Sequence, residues 1–219
     1  MARTALQPDD IAAFRRRAGD AATRLFAAHG YDAVTMRALA DALGISAMTP
    51  YRYLSGKDEL IALVRTAAFR RFADALELAT SRVADPEHRL RELKRAYLRF
   101  ATRHGDAYRI MFELRGPDDA GRWPELAREA ARAFGVLVDA VRAAVVAGVL
   151  DGDPLTIAHL LWAGAHGLAS LHLAGRLNLG RSLDRLAAVD HELAGFRPPR
   201  AVRASRRQPS SPRSRRSAS

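Results

Sequence analysis

Three histidines and a tryptophan close together, His159, Trp162, His166 and His172, are the side chains best able to bind a metal or move a proton. His159, Trp162 and His166 fall on one helical stripe, because steps of three and four residues return to the same face. His172 points away from that stripe, so a zinc site would need a carboxylate that the pattern does not supply. No serine, histidine and acid stand at a spacing that suggests a nucleophile, and the many carboxylates read as solvated helix faces with partners four residues away. Cysteine is absent altogether, which removes disulfides, thiolate zinc sites and cysteine nucleophiles. The expectation is a protein that binds rather than catalyses, with no catalytic residue, no metal and no cofactor.

The elements that carry these side chains read as helices throughout, with no sustained alternation of apolar and polar residues. Pro8-Asp9-Asp10 opens a first helix that Gly30 stops. Thr35 can cap a short helix carrying Met36, Leu39, Ala40 and Leu43, and Gly44 ends it. Ile45-Ser46 leads into another short helix through Tyr53, and Ser55-Gly56 precedes a long helix from Lys57 to about Thr80. Asp85-Pro86 and Asp153-Pro154 each pair a capping acid with proline at the first helical position. The spacing predicts helices over Pro86 to His104, Ala107 to Leu114, Pro124 to Leu150, Pro154 to Ala174 and Ser182 to Leu193.

Two short helices joined by Leu43-Gly44-Ile45-Ser46 form a helix-turn-helix arrangement, whose tight turn needs the positive φ that glycine tolerates. The second helix of such a pair fits the major groove of B-DNA with its N-terminal residues nearest the base edges. That geometry makes Ala47, Met48, Thr49 and Arg52 candidates for base contact, with Leu39, Ala40, Ile45 and Leu54 facing the small core. The segment from Ala22 to Leu60 resembles the DNA-binding domain of the TetR family of regulators. The matching stretches are Leu25-Phe26-Ala27-Ala28-His29-Gly30-Tyr31, Thr35-Met36-Arg37-Ala38-Leu39-Ala40, Gly44-Ile45-Ser46, Thr49-Pro50-Tyr51-Arg52-Tyr53-Leu54 and Lys57-Asp58-Glu59-Leu60. The resemblance implies that Thr35, Tyr51, Tyr53 and Lys57 contact phosphates, and Arg37 and Ser46 complete the expected DNA-facing set. Pro50 departs from the aliphatic residue usual there. It lacks the N–H for an intrahelical bond, which shifts the expected helix start by about one position.

Residues 61–196 read as a helical domain that the resemblance assigns to effector binding and dimerisation, its last two helices forming a four-helix bundle with those of a second subunit. Leu161 to Leu171 looks like the Trp-His-Gly signature of one C-terminal subclass. Phe100, Tyr108, Met111, Phe112, Phe134, Leu137 and Trp162 offer apolar surface for a ligand, with His166 or Arg109 to orient a polar group, although each taken singly also fits ordinary core. Leu160, Leu168, Leu171, Leu183, Leu186 and Val189, with the low relief of Gly164 and Gly167, are the expected dimer interface.

The charge adds less than its size suggests. Of a formal net charge of +11, eight arginines lie in residues 197–219, which hold no acid, leaving +3 for residues 1–196. That segment has almost no large apolar side chain and reads as a disordered tail. The N-terminus lacks the apolar stretch of a signal peptide, and no apolar run is long enough for a membrane span, so a cytoplasmic chain without membrane contact is expected. The expected fold is all-α with about nine helices: a three-helix helix-turn-helix domain over 1–60, a larger helical domain over 61–196 and the tail. The implied function is a homodimeric repressor on a near-palindromic duplex operator, released by a small apolar or amphipathic effector. A helical small-molecule binding or interaction protein attached nonspecifically to nucleic acid through its basic tail is the alternative.

Overall fold

The computed structural model describes residues 7–112, 121–177 and 181–187. Among these the secondary structure is entirely helical, in eight α-helices and one 3₁₀ helix. Helix α1 spans Pro8–Ala33 and bends at Gly30, whose φ of 73° lets the chain continue past the expected stop into one further turn. Helix α2, Met36–Leu43, begins where the Thr35 hydroxyl oxygen accepts the Ala38 N–H at 3.1 Å. It ends at Gly44, left-handed at φ 66°, where the Ile45 N–H reaches back to the Ala40 carbonyl at 3.0 Å.

The expected helix through Tyr53 is replaced by turns over Ala47 to Thr49 and a 3₁₀ helix, Pro50–Arg52. Proline explains the change. It has no N–H to give the Ser46 carbonyl, which instead accepts from Thr49 at 2.9 Å, and the buried Pro50 ring starts the next turn. Helix α3, Lys57–Thr80, then runs for 24 residues. Helices α4 (Pro86–Arg103) and α7 (Pro154–Leu173) start on Asp85 and Asp153, which accept the N–H groups of His88 and Thr156 at 2.7 and 2.8 Å.

Helix α5, Gly105–Phe112, starts two residues before its expected position, and α6, Pro124–Val146, stops short of Leu150 at a left-handed Gly148. Helix α8, Leu183–Ala187, is the described part of the segment expected over 182–193. Leu114, Val189 and the basic tail lie outside the described residues.

Two apolar clusters hold these helices together. The smaller one joins Phe14, Ala18, Phe26, Met36, Leu39, Leu54 and Leu60, with Ile110 from α5 inserted into it. The larger one collects α3 from Ala62 onward with α4 to α8. Helix α3 belongs to both, packing on α1 near its start and on α4, α5 and α6 farther along. The side chains that face the small core are thus fixed to the same rod as those of the large one.

Candidate functional site

Most of the side chains expected to meet DNA lie at the surface of the small N-terminal unit. Thr35, Arg37, Ser46, Ala47, Arg52 and Tyr51 are exposed, and Met48 stands out at 70%. Thr49, Tyr53 and Lys57 are half-buried. Local chemistry fixes this surface. The Thr35 oxygen is spent as the α2 cap, leaving its O–H free to turn outward, and the Ser46 oxygen accepts the Met48 N–H at 3.4 Å. Tyr53 is held from beneath: its ring stacks on Phe14 with centroids 4.0 Å apart and planes 16° apart. Tyr51 and Tyr53 therefore differ in role although they are two residues apart, one ring presented to solvent and the other bracing α1.

A polar clamp sets the start of α3, which the sequence reading missed. Glu59 accepts the Ser55 N–H at 2.7 Å and pairs with Arg15 of α1. Burial pushes the Glu59 carboxyl up, but the Ser55 N–H and the Arg15 guanidinium outweigh it and hold it below the usual carboxylate range. Acidic residues in the first turn of a helix were the available signal, yet the partner lies 44 residues away in sequence and no local pattern names it.

The larger helical unit encloses two adjoining chambers between α3, α4, α6 and α7. One, of about 180 Å³, is lined by Phe69, Phe72, Phe112, Phe134, His159 and Trp162 among others. The second, of about 60 Å³, counts Arg91 and Lys94 of α4 in its lining. Leu76, Tyr97, Leu137 and Trp162 line both, so the two adjoin at these side chains. Phe112, Phe134 and Trp162 of the expected ligand set, with Leu137, thus reach a chamber. Phe100, Tyr108 and Met111 are buried in the core and line neither. Arg109 instead donates to the Leu173 carbonyl at 3.0 Å. Phe69, Phe72 and Tyr97 were not singled out in the sequence, because apolar residues at helical spacing read alike whether they meet a neighbour or a void.

His166 lies behind the chamber wall. Its Nδ1 bonds with the Tyr108 hydroxyl at 2.6 Å and lies 3.3 Å from that of Tyr97; the two hydroxyls are 2.9 Å apart, and Nε2 lies 3.3 Å from the Ser170 hydroxyl. Burial, with the neighbouring Tyr108, pushes the Tyr97 phenol far up, so it stays neutral. His159 gives its Nδ1 to the Leu155 carbonyl at 2.9 Å. Among the described residues no group of three or more histidines and acids converges as metal ligands would.

On its outer side α7 carries Leu160, at 53% exposure, and Leu171, at 47%, with Gly164, Gly167 and Leu168 half-buried between them. Leu183 is buried within the chain's own core and Leu186 is half-buried. No helix among the described residues is long and apolar enough to cross a membrane.

A helix-turn-helix face joined by one long helix to a hollow helical bundle defines a DNA-binding transcriptional regulator. The profile described as bacterial regulatory proteins of the tetR family matches residues 20–64, and that of a tetracyclin repressor-like C-terminal domain matches residues 90–196. The chain belongs to the TetR family. It is 27% identical over 173 residues, 78% of this chain and 75% of the relative, to the HTH-type transcriptional activator FasR of Mycolicibacterium smegmatis. An HTH-type transcriptional regulator of Mycobacterium tuberculosis is 26% identical over 176 residues, 68% of this chain and 75% of its own. A solved structure from Rhodococcus sp. RHA1, of unknown function, superposes with a TM-score of 0.73 at 26% identity, covering 84% of this chain and 95% of that one. The fatty acid degradation regulator FadR of Bacillus halodurans shares the fold, with a TM-score of 0.65 at 16% identity over 84% of this chain and 93% of its own.

Proposed function

We propose that the chain is a cytoplasmic homodimeric repressor that occupies a near-palindromic operator and leaves it when a small apolar or amphipathic molecule enters the chambered cavity. The observation that carries this reading is the sharing of α3. Lys57, at its first turn, is one of the residues assigned to DNA on this reading, and Phe69, Phe72 and Leu76 farther along line the larger chamber. Twelve residues of helix place Phe69 about 18 Å from Lys57 on one stiff element. A ligand that repacks Phe69 and Phe72 favours one orientation of the rod over another, and differential affinity of this kind is all that a ligand needs to shift an equilibrium.

A second copy is required because one helix-turn-helix makes too few contacts for useful specificity. The exposed Leu160 and Leu171, with low-relief glycines between them, support α7 as its docking face. On this reading Thr35, Tyr51, Tyr53 and Lys57 hold phosphates, and Ala47, Met48, Thr49 and Arg52 lie nearest the bases. The likeness of Trp162, His166 and Gly167 to a Trp-His-Gly subclass belongs to the same proposal.

Selecting genomic fragments with the purified chain at rising salt tests it. The expected outcome is a set of fragments sharing an inverted repeat with half-site centres about 34–36 Å apart. A reporter placed downstream should then be silenced by the chain, whereas increased output would make it an activator, as FasR is named. Fragments with no common sequence, lost as readily as random duplex when salt rises, would overturn the reading.

A further inference from the structure

We propose that the ligand of the chambered cavity is an anionic amphiphile, a linear apolar chain ending in a carboxylate, whose head sits between Arg91 and Lys94 and whose tail fills the larger chamber. The proposal deepens the effector reading above and rests on it.

The two ends of the cavity differ in chemistry. Around the smaller chamber, Leu76, Leu90, Leu93, Leu137 and Leu161 make apolar walls, and Arg91 and Lys94 supply the charge. These two lie three residues apart on α4 and so share one of its faces. Long cationic side chains often lay their stems on apolar surface with the head in water, and a lone one would carry no weight. Here two of them line the same chamber. No carboxylate lines either chamber among the described residues, and Tyr97 is a neutral phenol. Glu87, one turn back on α4, pairs with the Arg91 guanidinium without itself lining the cavity.

An ammonium head beside these two cations would meet like charge, and a neutral head would exchange its hydration for nothing better. A carboxylate gains charge-assisted hydrogen bonds, the stronger class. The larger chamber selects the tail. Its walls are aromatic and aliphatic, with Ala130 and Ala133 leaving room, and only Tyr97, His159 and the Trp162 indole bring side-chain polar atoms. Because Trp162 and Leu137 stand between the chambers, a tail passing from one to the other turns these two side chains aside.

Calorimetric titration of the full chain with decanoate, 1-decanol and decylamine, each below its aggregation threshold, tests the assignment. Decanoate should bind about tenfold more tightly than decanol, a difference of about 1.4 kcal/mol, and decylamine more weakly than either. Lys94→Met should reduce the preference by weakening decanoate alone, and Lys94→Arg should keep it. Ala130→Phe, which intrudes on the larger chamber from a half-buried position, should weaken decanoate and decanol alike. Equal affinity for decanoate and decanol, or equal loss of both in Lys94→Met, would overturn the anionic head and leave the cavity as an apolar effector site. Undiminished binding to Ala130→Phe would place the ligand elsewhere and end the proposal. If none of the three compounds binds the parent chain, the reading of the cavity as an effector site falls with it.

Discussion

Tyr51 and Tyr53 offer the sharpest separation of DNA contact from structural support. The Tyr53 ring is half-buried and stacks on Phe14 at 4.0 Å, tying the segment after the 3₁₀ helix to α1. Truncating a fully buried aromatic costs about 3–5 kcal/mol, and a half-buried one in a stacked pair should cost about 2 kcal/mol. For a chain of this size each kcal/mol moves the unfolding midpoint by about 2–4 °C, so Tyr53→Ala should melt about 4–8 °C lower than the parent. Tyr53→Phe keeps the stack and should melt with the parent. Tyr51 is 52% exposed, and Tyr51→Ala should change stability by no more than about 0.5 kcal/mol. Tyr51→Phe should weaken operator and random duplex by a similar factor of about five, the worth of one hydrogen bond to phosphate. Circular dichroism at one fixed protein concentration gives the midpoints, and fluorescence anisotropy with a labelled duplex gives the affinities. A Tyr53→Ala chain that melts with its parent would show that the stack supports nothing. A Tyr51→Phe chain that loses only the operator would remove Tyr51 from the phosphate-contacting set.

Three further outcomes follow from the packing. Burial pushes the Glu129 carboxyl up, but Arg132 and Arg70 outweigh it and hold it below the usual carboxylate range; its stabilisation is therefore present at neutral pH and lost as pH falls through its lowered value. Denaturant melts should find Glu129→Gln about 1–2 kcal/mol weaker than the parent at pH 7, because Arg70 keeps Glu125 and Arg132 keeps Asp74 and Glu77, with the gap closing in acid; a gap that widens in acid would reverse the sign. Tyr108→Phe should cost only about 1 kcal/mol, since Tyr97 and His166 remain 3.3 Å apart and can satisfy each other, and the same melts would contradict this with a loss above about 3 kcal/mol. Gly167→Glu should leave the protomer folded, for a Cβ there meets nothing within 4 Å, yet sediment as a monomer that no longer binds operator; a variant that stays dimeric would move the interface off α7.

What was legible in the sequence was the chemistry that acts within one or two turns. Thr35, Asp85 and Asp153 cap the helices that their positions announce, and Gly44 takes the left-handed conformation that the turn requires. Pro50 was legible as a disturbance and not in its extent. Losing one donor shifts a helix start, whereas here the whole element tightened to a 3₁₀ helix, because the buried ring and the stacked Tyr53 fix the backbone from both sides. The cavity was legible only as an aromatic surplus. Phe100 and Phe112 look alike in sequence, and which of them meets empty space depends on how α3, α4, α6 and α7 cross.

Helix α5 shows why the two parts of the chain cannot be read as separate bodies. Eight residues carry four buried side chains, Ala107, Tyr108, Ile110 and Met111, and a half-buried Phe112. At about 100° per residue, Ile110 points roughly opposite to Tyr108 and Phe112. It enters the small N-terminal core beside Phe14 and Ala18, while Tyr108 bonds His166 and Phe112 lines the larger chamber. Only Asp106 and Arg109 of α5 are exposed, so neighbours cover most of the helix. Arg65 of α3 adds a donor to the Met111 carbonyl at 3.3 Å, fixing the end of α5 to the rod that starts at Lys57. A boundary drawn near residue 60 therefore divides the motifs but not the packing. Any change in volume around Phe112 acts on a helix whose other face is part of the core beneath the recognition turn.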